Sequence, residues 1–295
     1  MDIHTLDLGF QGTPETIAAY LVVGPKGPVL VETGPAPTLP TLITRLNEHG
    51  YAAGDIRHVL VTHVHLDHAG AAGWWARQGA HVYVHHLGAP HLVDPSRLLA
   101  SARRIYGDAM DRLWGQTVSA PAERVHALHD GDKVKAAGLT FVALDTPGHA
   151  YHHHVYHLDG VAFAGDAAAV RLPGSPFISL PAPPPEFDRE AWLRTLQRLQ
   201  NEDLATLYPT HFGPLKNVGE HLERVADLID QSAAYVGRHM ANGSDREALV
   251  RTYLDWVRER AVAQGLTDAD FRRFELANPT TMSVDGIMRY WRKRM

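Results

Sequence analysis

The sequence predicts a mixed α/β protein that ends in a group of helices. Short runs rich in β-branched residues alternate with stretches of helical apolar spacing over residues 16–214, as in strands that are accompanied by helices. After Lys216 the strand pattern stops and helical spacing continues. We therefore expect a main domain at residues 1–215 and a helical region at residues 216–295, which either packs on the main domain or forms a homodimer contact.

The composition limits the chemistry that the protein can perform. The 295 residues include no cysteine, which excludes disulfides, thiolate zinc sites and a cysteine nucleophile. The formal net charge of −5 argues against a partner such as long nucleic acid, which usually needs a basic surface. The amino terminus lacks the features of a signal peptide, and no apolar window reaches the ~18–20 residues of a membrane span. We expect a cytoplasmic protein that acts on a small molecule away from membranes.

The first half of the chain alternates strands and helices. The predicted elements are strands at residues 16–23, 28–32, 59–62 and 81–84, and a helix at residues 40–49. Residues 87–120 are the least regular part, although residues 97–106 have helical spacing. This segment either forms a lid or one wall of a substrate cleft, or else only packs on the surface.

The second half begins with further strands and ends with helices. The predicted strands lie at residues 139–144, 155–158, 161–164 and 205–209, and the predicted helices lie at residues 189–200, 218–240, 245–264, 267–276 and 284–291. The turn Asp159-Gly160 makes residues 155–164 a hairpin. Residues 173–187 are rich in proline and are expected to form an extended loop.

One short segment carries four candidate metal ligands. His63, His65, Asp67 and His68 directly follow the apolar run at residues 59–61. In an extended segment His63 and His65 point the same way, and Asp67 keeps that spacing while His68 breaks it. Burying these groups without a metal would leave several polar atoms unpaired, at a cost of roughly 1–3 kcal/mol each. The segment therefore predicts a metal site, with ligands for two adjacent ions.

Three more candidates have the same local setting. His149, Asp166 and His211 each follow a predicted strand and lie next to glycine or close to proline. Because neighbouring strands bring their ends to one edge of a sheet, we expect these side chains to join the first segment.

The order of these motifs resembles a known family. The pattern H-x-H-x-D-H, followed by separated G-H, G-D and T-H elements within residues 16–214, is similar to that of the metallo-β-lactamase fold superfamily. The resemblance implies a four-layer αββα sandwich of two mixed sheets covered by helices. It implies a first metal held by His63, His65 and His149, a second held by Asp67, His68 and His211, and a bridging Asp166. This cysteine-free set resembles that of glyoxalase II-like hydrolases. Glu32 stands where the family commonly has an aspartate that supports the ligands or the structure.

The resemblance implies a binuclear metallohydrolase that acts on a small ester, thioester or lactone. We expect two divalent ions, zinc in the first place with manganese or iron as alternatives, which share a hydroxide near neutral pH. Asp67 is the catalytic candidate, because it could orient the nucleophile or relay a proton.

Three weaker candidates concern the substrate. His153, or its neighbour His152, could reach the cleft, although a polar loop surface explains both. Arg171 could pair with an anionic group, or form a salt bridge at the rim. Tyr208 precedes His211 at a strand end, where core packing is the alternative.

Other functions use similar ligands. A phosphodiesterase or nuclease of the same fold would use the same metal pair. An iron-dependent oxidoreductase that resembles persulfide dioxygenases would use one metal, and the diiron flavoprotein type has glutamate in place of His65. The full set of seven ligands argues against both oxidoreductases, and it also argues against a non-catalytic binding role.

Overall fold

The computed structural model describes residues 1–294, and its strands form two mixed β-sheets. The first sheet consists of β1 (Asp2–Asp7), β2 (Ala18–Gly24), β3 (Gly27–Val31), β4 (His58–Leu60), β5 (His81–His85) and β6 (Val125–Leu128). These strands lie side by side in chain order. The first three pair antiparallel, whereas β3 to β6 run parallel.

The second sheet has the order β11-β10-β9-β8-β7. Its strands are β7 (Lys133–Ala136), β8 (Leu139–Asp145), β9 (His154–Leu158), β10 (Val161–Gly165) and β11 (Thr206–Pro209). Neighbours are antiparallel except for β10 and β11, which are parallel. The predicted hairpin is therefore β9–β10.

Helices cover both sheets. They are α1 (Leu39–Glu48), α2 (Leu66–Ala69), α3 (Ala72–Arg77), α4 (Ala89–Val93), α5 (Ser96–Tyr106), α6 (Met110–Trp114), α7 (Arg189–Gln200), α8 (Val218–Ala241), α9 (Arg246–Ala263), α10 (Asp268–Ala277) and α11 (Thr280–Arg292). None of the helices within residues 1–294 combines the length and the apolar character that crossing a membrane requires.

The side chains of each strand alternate between two cores. On β2, Tyr20 lies between the two sheets, where it packs with Phe163 of β10. Its neighbour Leu21 points to the other face, into a core shared with Trp75 of α3. The outer face of the second sheet packs against α7 and the helices that follow. This order of helix, sheet, sheet and helix confirms the predicted αββα sandwich.

The carboxy-terminal helices pack on the second sheet. Leu222 of α8, Leu249 of α9 and Ile287 of α11 are fully buried in one core with Val155 of β9. The helical region therefore packs on the main domain, which is the first of the two predicted alternatives. The domain boundary at residue 215 and the dimer contact stay predictions.

Three strands are not predicted by the sequence patterns, and all three lie at sheet edges. They are β1 and β6 of the first sheet and β7 of the second. Their sequences DIHTLD, VHAL and KVKA interrupt the apolar residues with polar ones, and their side chains are partly exposed. An edge strand pairs on one side only, so its sequence need not carry the continuous apolar run of a buried strand.

Candidate metal centre

The candidate ligands lie where strands of both sheets end. The segment of residues 61–65 follows β4 and leads into α2, which carries Asp67 and His68. Asp166 directly follows β10, and His211 follows β11 after one residue. His149 lies in the loop between β8 and β9. The strand ends thus bring together side chains that are up to 148 positions apart, from 63 to 211.

The first group consists of His63, His65 and His149. Nε2 of His63 and Nε2 of His149 each lie 2.9 Å from Nδ1 of His65. His63 and His149 are buried, and the side chain of His65 is 24% exposed. Three imidazole nitrogens therefore converge on one point that can be reached from solvent on the His65 side.

The outer ring nitrogens determine which ring atoms can accept a cation. Nδ1 of His149 donates to the carbonyl oxygen of Pro181 at 2.7 Å. Nδ1 of His63 lies 3.0 Å from the Thr62 hydroxyl, which itself donates to Glu32. Each outer nitrogen thus carries the hydrogen of the neutral imidazole, and each inner Nε2 presents a lone pair. Lone pairs that face one another are stabilised by a cation between them.

The second group consists of Asp67, His68 and His211. Nε2 of His68 lies 3.6 Å, and Nε2 of His211 lies 3.5 Å, from Oδ2 of Asp67. The outer nitrogens again have acceptors, because Nδ1 of His68 lies 3.1 Å from Glu32 and Nδ1 of His211 donates to the Thr16 carbonyl at 2.8 Å. The inner nitrogen of His68 is buried and has no hydrogen-bond partner.

Asp166 lies between the two groups. Its Oδ2 is 3.2 Å from Nε2 of His149, and its Oδ1 is 3.4 Å from Nε2 of His68 and 3.5 Å from Nε2 of His211. Oδ1 is also buried without a hydrogen-bond partner. Such unpaired buried acceptors are costly in a protein unless a cation satisfies them. The donor set of imidazole and carboxylate suits a divalent transition metal.

The electrostatics differ between the two groups. Burial, together with the neighbouring histidines, lowers the pKa of His63 and lowers that of His65 to about 3. These rings are neutral at pH 7, the form that binds a metal. Burial would also lower the pKa values of His68 and His211, but the carboxylates of Asp67 and Asp166 raise both. The second group therefore attracts positive charge.

Glu32 connects the two groups on the side of the outer ring nitrogens. Its buried carboxylate accepts hydrogen bonds from the hydroxyls of Thr62 and Thr210 and lies 3.1 Å from Nδ1 of His68. It thereby holds side chains from the ends of β4 and β11 and from α2. This position agrees with the supporting role that the resemblance implies for it.

A cavity of about 220 Å³ opens onto the centre. Its inner end is lined by His65, Asp67, His149, Asp166 and His211. The remaining walls come from α5, α6, the proline-rich loop and the segment around α10 and α11. Residues 87–120 thus contribute one wall of the cavity.

The structure brings His152, the alternative to His153, to this cavity, but it does not bring His153, Arg171 or Tyr208 there. His153 is fully buried, where its Nδ1 lies 2.8 Å from the Thr146 hydroxyl and its Nε2 accepts from the backbone N–H of Asp166. Arg171 lines separate surface cavities with residues such as Glu220. Tyr208 stacks on Phe163 in the core between the sheets. His153 therefore supports Asp166, and the other two residues do not line the cavity.

Glu186 is a member of the site that the sequence does not reveal. Its side chain is 10% exposed, and its Oε2 lies 3.2 Å from Nε2 of His152 and 3.7 Å from Nε2 of His65. These three residues form a further group with ligand-like spacing at the cavity wall. The only signal in the sequence is an acidic residue after the run Pro183-Pro184-Pro185, and that signal is weak.

Comparison with known proteins agrees with the fold. Residues 12–211 match the family model described as the metallo-beta-lactamase superfamily. The fold is similar to that of a metallo-beta-lactamase family protein from Thermus thermophilus, with a TM-score of 0.72 and 22% identity. That comparison covers 99% of this chain and 93% of the other.

Some curated relatives have names that state an activity. The chain is 24% identical over 249 residues to the atrochrysone carboxyl ACP thioesterase of Aspergillus fumigatus. This alignment covers 80% of this chain and 49% of that protein. The chain is also 28% identical over 160 residues to the hydroxyacylglutathione hydrolase of Aeromonas hydrophila. This second alignment covers 54% of this chain and 49% of that protein. The chain thus spans about half the length of either relative.

The family model covers well over half of the chain, and its match ends at His211, the last of the candidate ligands. The protein belongs to the metallo-β-lactamase superfamily.

Proposed function

We propose that the protein is a binuclear metal-dependent hydrolase of a small ester or thioester, including the cyclic ester of a lactone. One observation carries this proposal: five histidines present their inner ring nitrogens to each other and to the carboxylate of Asp166. Two adjacent groups of ligand atoms that share one carboxylate are the arrangement that a pair of divalent cations requires.

The roles of the residues follow from their positions. His63, His65 and His149 would hold one cation, Asp67, His68 and His211 the other, and Asp166 would contact both. When bound, such a cation pair lowers the pKa of water and polarises a carbonyl oxygen. Asp67 lines the cavity with a side chain that is 20% exposed. It is therefore placed to accept a proton from water and to pass it to the leaving group.

The relatives support an acyl substrate. Their names describe a thioesterase and a hydroxyacylglutathione hydrolase, and both names denote cleavage at an acyl carbon. Members of one superfamily can differ in substrate, because function depends on the site and its loops rather than on the fold. The walls of the cavity in this chain are therefore the place where substrate choice is made.

Metal analysis and one substrate panel test the proposal. We expect purified protein to bind two equivalents of zinc, manganese or iron per chain and to hydrolyse thioesters, esters or lactones. Asp166→Asn should lower both the metal content and the activity, and the activity should fall by more than about 100-fold. Removal of a residue that only supports a metal ligand already lowers metal affinity or activity by about 10–100-fold, and Asp166 is a candidate ligand itself. The matched control is Asp230→Asn, whose surface carboxylate pairs with Arg189 and should leave both unchanged.

Two results would contradict the proposal. Hydrolysis of bis-p-nitrophenyl phosphate without turnover of any acyl substrate would indicate a phosphodiesterase. Oxygen consumption by the iron-loaded protein, again without hydrolysis, would indicate an oxidoreductase.

A further inference from the structure

The walls of the cavity are mainly apolar. Beyond the candidate ligands they include the side chains of Phe10, Leu98, Ile105, Leu113, Trp114 and Met282. These residues come from four separate parts of the chain, so the apolar character is a property of the assembled cavity. Contact with such walls favours a substrate that buries apolar surface.

Apart from the histidines, the charged side chains of the cavity are acidic. Asp67, Asp166, Glu186 and Glu275 line it, and none of the lining residues is lysine or arginine in the part of the chain that the structure describes. Asp67 and Asp166 belong to the candidate metal groups, and Glu186 faces His65 and His152. The carboxylate of Glu275 accepts from the hydroxyl and the N–H of Thr280.

An anionic substrate group would therefore be poorly accommodated along these walls. It would lose its hydration and find no side-chain cation beyond the metal centre to replace it. An uncharged apolar group meets no such cost, because the hydrophobic effect favours its transfer from water to the walls.

The size of the cavity sets a lower limit on the group that it takes. Its volume of about 220 Å³ exceeds the ~150 Å³ of an apolar cavity that is able to bind benzene. An acetyl group would leave most of this space without contacts, whereas an aromatic ring or a chain of about six carbons would use it.

We propose that the protein is selective for substrates with an uncharged, apolar acyl group, either aromatic or aliphatic with about six carbons or more. This inference rests on the proposed acyl hydrolase function and adds the substrate class. It concerns the acyl side of the scissile bond, which the cavity would enclose next to the metal ligands.

Thioesters of one thiol, N-acetylcysteamine, test this selectivity with the metal-loaded full chain. We expect kcat/KM for the hexanoyl and benzoyl thioesters to exceed that for the acetyl thioester by at least tenfold. The adipoyl monothioester has the same six carbons as hexanoyl but ends in a carboxylate. We expect it to be at least 100-fold poorer than hexanoyl.

A charge substitution at the rim should reverse part of this preference. Ile105 is 42% exposed and lines the cavity, so Ile105→Lys should fold and bring a cation to the wall. We expect the hexanoyl-to-adipoyl ratio of kcat/KM to fall at least tenfold. Val93→Lys is the matched control, because Val93 is 36% exposed and is not among the residues that line the cavity.

Binding provides a readout that does not depend on turnover. Hexanamide should change tryptophan fluorescence through Trp114, and the change should be absent in Trp114→Phe. Adipamic acid, its carboxylate analogue, should cause no change at the same concentration.

The outcomes separate this inference from the proposed function. Hydrolysis of the acetyl or adipoyl thioester as fast as that of the hexanoyl thioester would overturn the substrate class but leave the acyl hydrolase in place. Failure to hydrolyse any acyl compound, with two metals bound, would overturn both.

Discussion

At the scale of single residues, the candidate ligands are oriented by the atoms on the far side of their rings. The carbonyls of Pro181 and Thr16 and the carboxylate of Glu32 each face the outer nitrogen of a different histidine. These contacts fix the tautomer and hence the direction of the inner lone pair. The geometry of the centre therefore depends on residues that are not ligands themselves.

For His65, the group that faces the outer ring nitrogen is the carboxylate of Glu186. Nδ1 of His65 points into the first group, so its Nε2 carries the hydrogen and faces Oε2 of Glu186. Burial would raise the pKa of Glu186, but the neighbouring imidazoles of His152 and His65 lower it to about 2. Glu186 is therefore ionised at neutral pH and can stabilise this tautomer of His65.

Glu186→Gln should weaken metal binding without removing a ligand. The amide has the same size but lacks the charge, so the preference for the required His65 tautomer decreases. We expect zinc affinity to fall by about 10- to 100-fold, as measured by competition with a chromophoric chelator.

Glu275→Gln is the control for this change. Its carboxylate lines the same cavity but bonds to Thr280 rather than to a histidine. Equal losses of zinc affinity in both variants would show that the effect comes from the general charge of the cavity and not from His65.

At the scale of elements, the loop that carries His149 lies directly against α7. Gly148 has φ +141°, and a Cβ built on it would lie 2.6 Å from the backbone nitrogen of Trp192. The N–H of Asp188, at the start of α7, also donates to the Gly148 carbonyl at 2.8 Å. The close approach of loop and helix is thus what places His149 in the first group.

Gly148→Ala should disturb both stability and metal binding. The new methyl group must push the loop away from α7, and overpacking of this kind costs roughly 1–3 kcal/mol in the free energy of unfolding. Because His149 is the next residue, zinc affinity should fall in the same variant. Urea denaturation and a zinc titration measure the two effects.

Gly54→Ala provides the comparison. Gly54 is exposed and a Cβ there would meet no atom within 4 Å, so both quantities should stay near their wild-type values. A Gly148→Ala protein with wild-type zinc affinity would show that His149 does not depend on this contact.

At the scale of the whole molecule, the carboxy-terminal helices and the second sheet share one core. Ile287 of α11 and Leu222 of α8 are fully buried in the same cluster as Val155 and Leu207 of the sheet. A shared core of this kind predicts that the sheet and the helices unfold together. The predicted boundary at residue 215 would then separate two regions of sequence but not two folding units.

Ile287→Ala tests this cooperativity. Truncation of a buried isoleucine costs about 2–5 kcal/mol, and we expect the loss in a single transition of the whole chain during urea unfolding. Val262→Ala, at a position 61% exposed on α9, should change the free energy of unfolding by less than about 0.5 kcal/mol. Helical signal that melts before the rest of the chain in Ile287→Ala would contradict a shared core.

Local patterns in the sequence are sufficient to predict the buried strands, most of the helices and the set of candidate ligands. Apolar runs such as residues 59–61 mark a buried strand, and the spacing of His63, His65 and Asp67 is visible over a few residues. The order of the motifs then indicates the αββα fold, which the structure confirms.

The surroundings of the centre, in contrast, emerge only from tertiary packing. The edge strands β1, β6 and β7, the contact of Glu186 with His65, and the positions of Arg171 and Tyr208 away from the cavity depend on which distant segments meet. The acidic and apolar character of the cavity has the same origin, because its walls come from segments between residues 10 and 282. A local pattern can specify a strand or a ligand, but the partners of a side chain are fixed by packing between parts of the chain that are far apart in sequence.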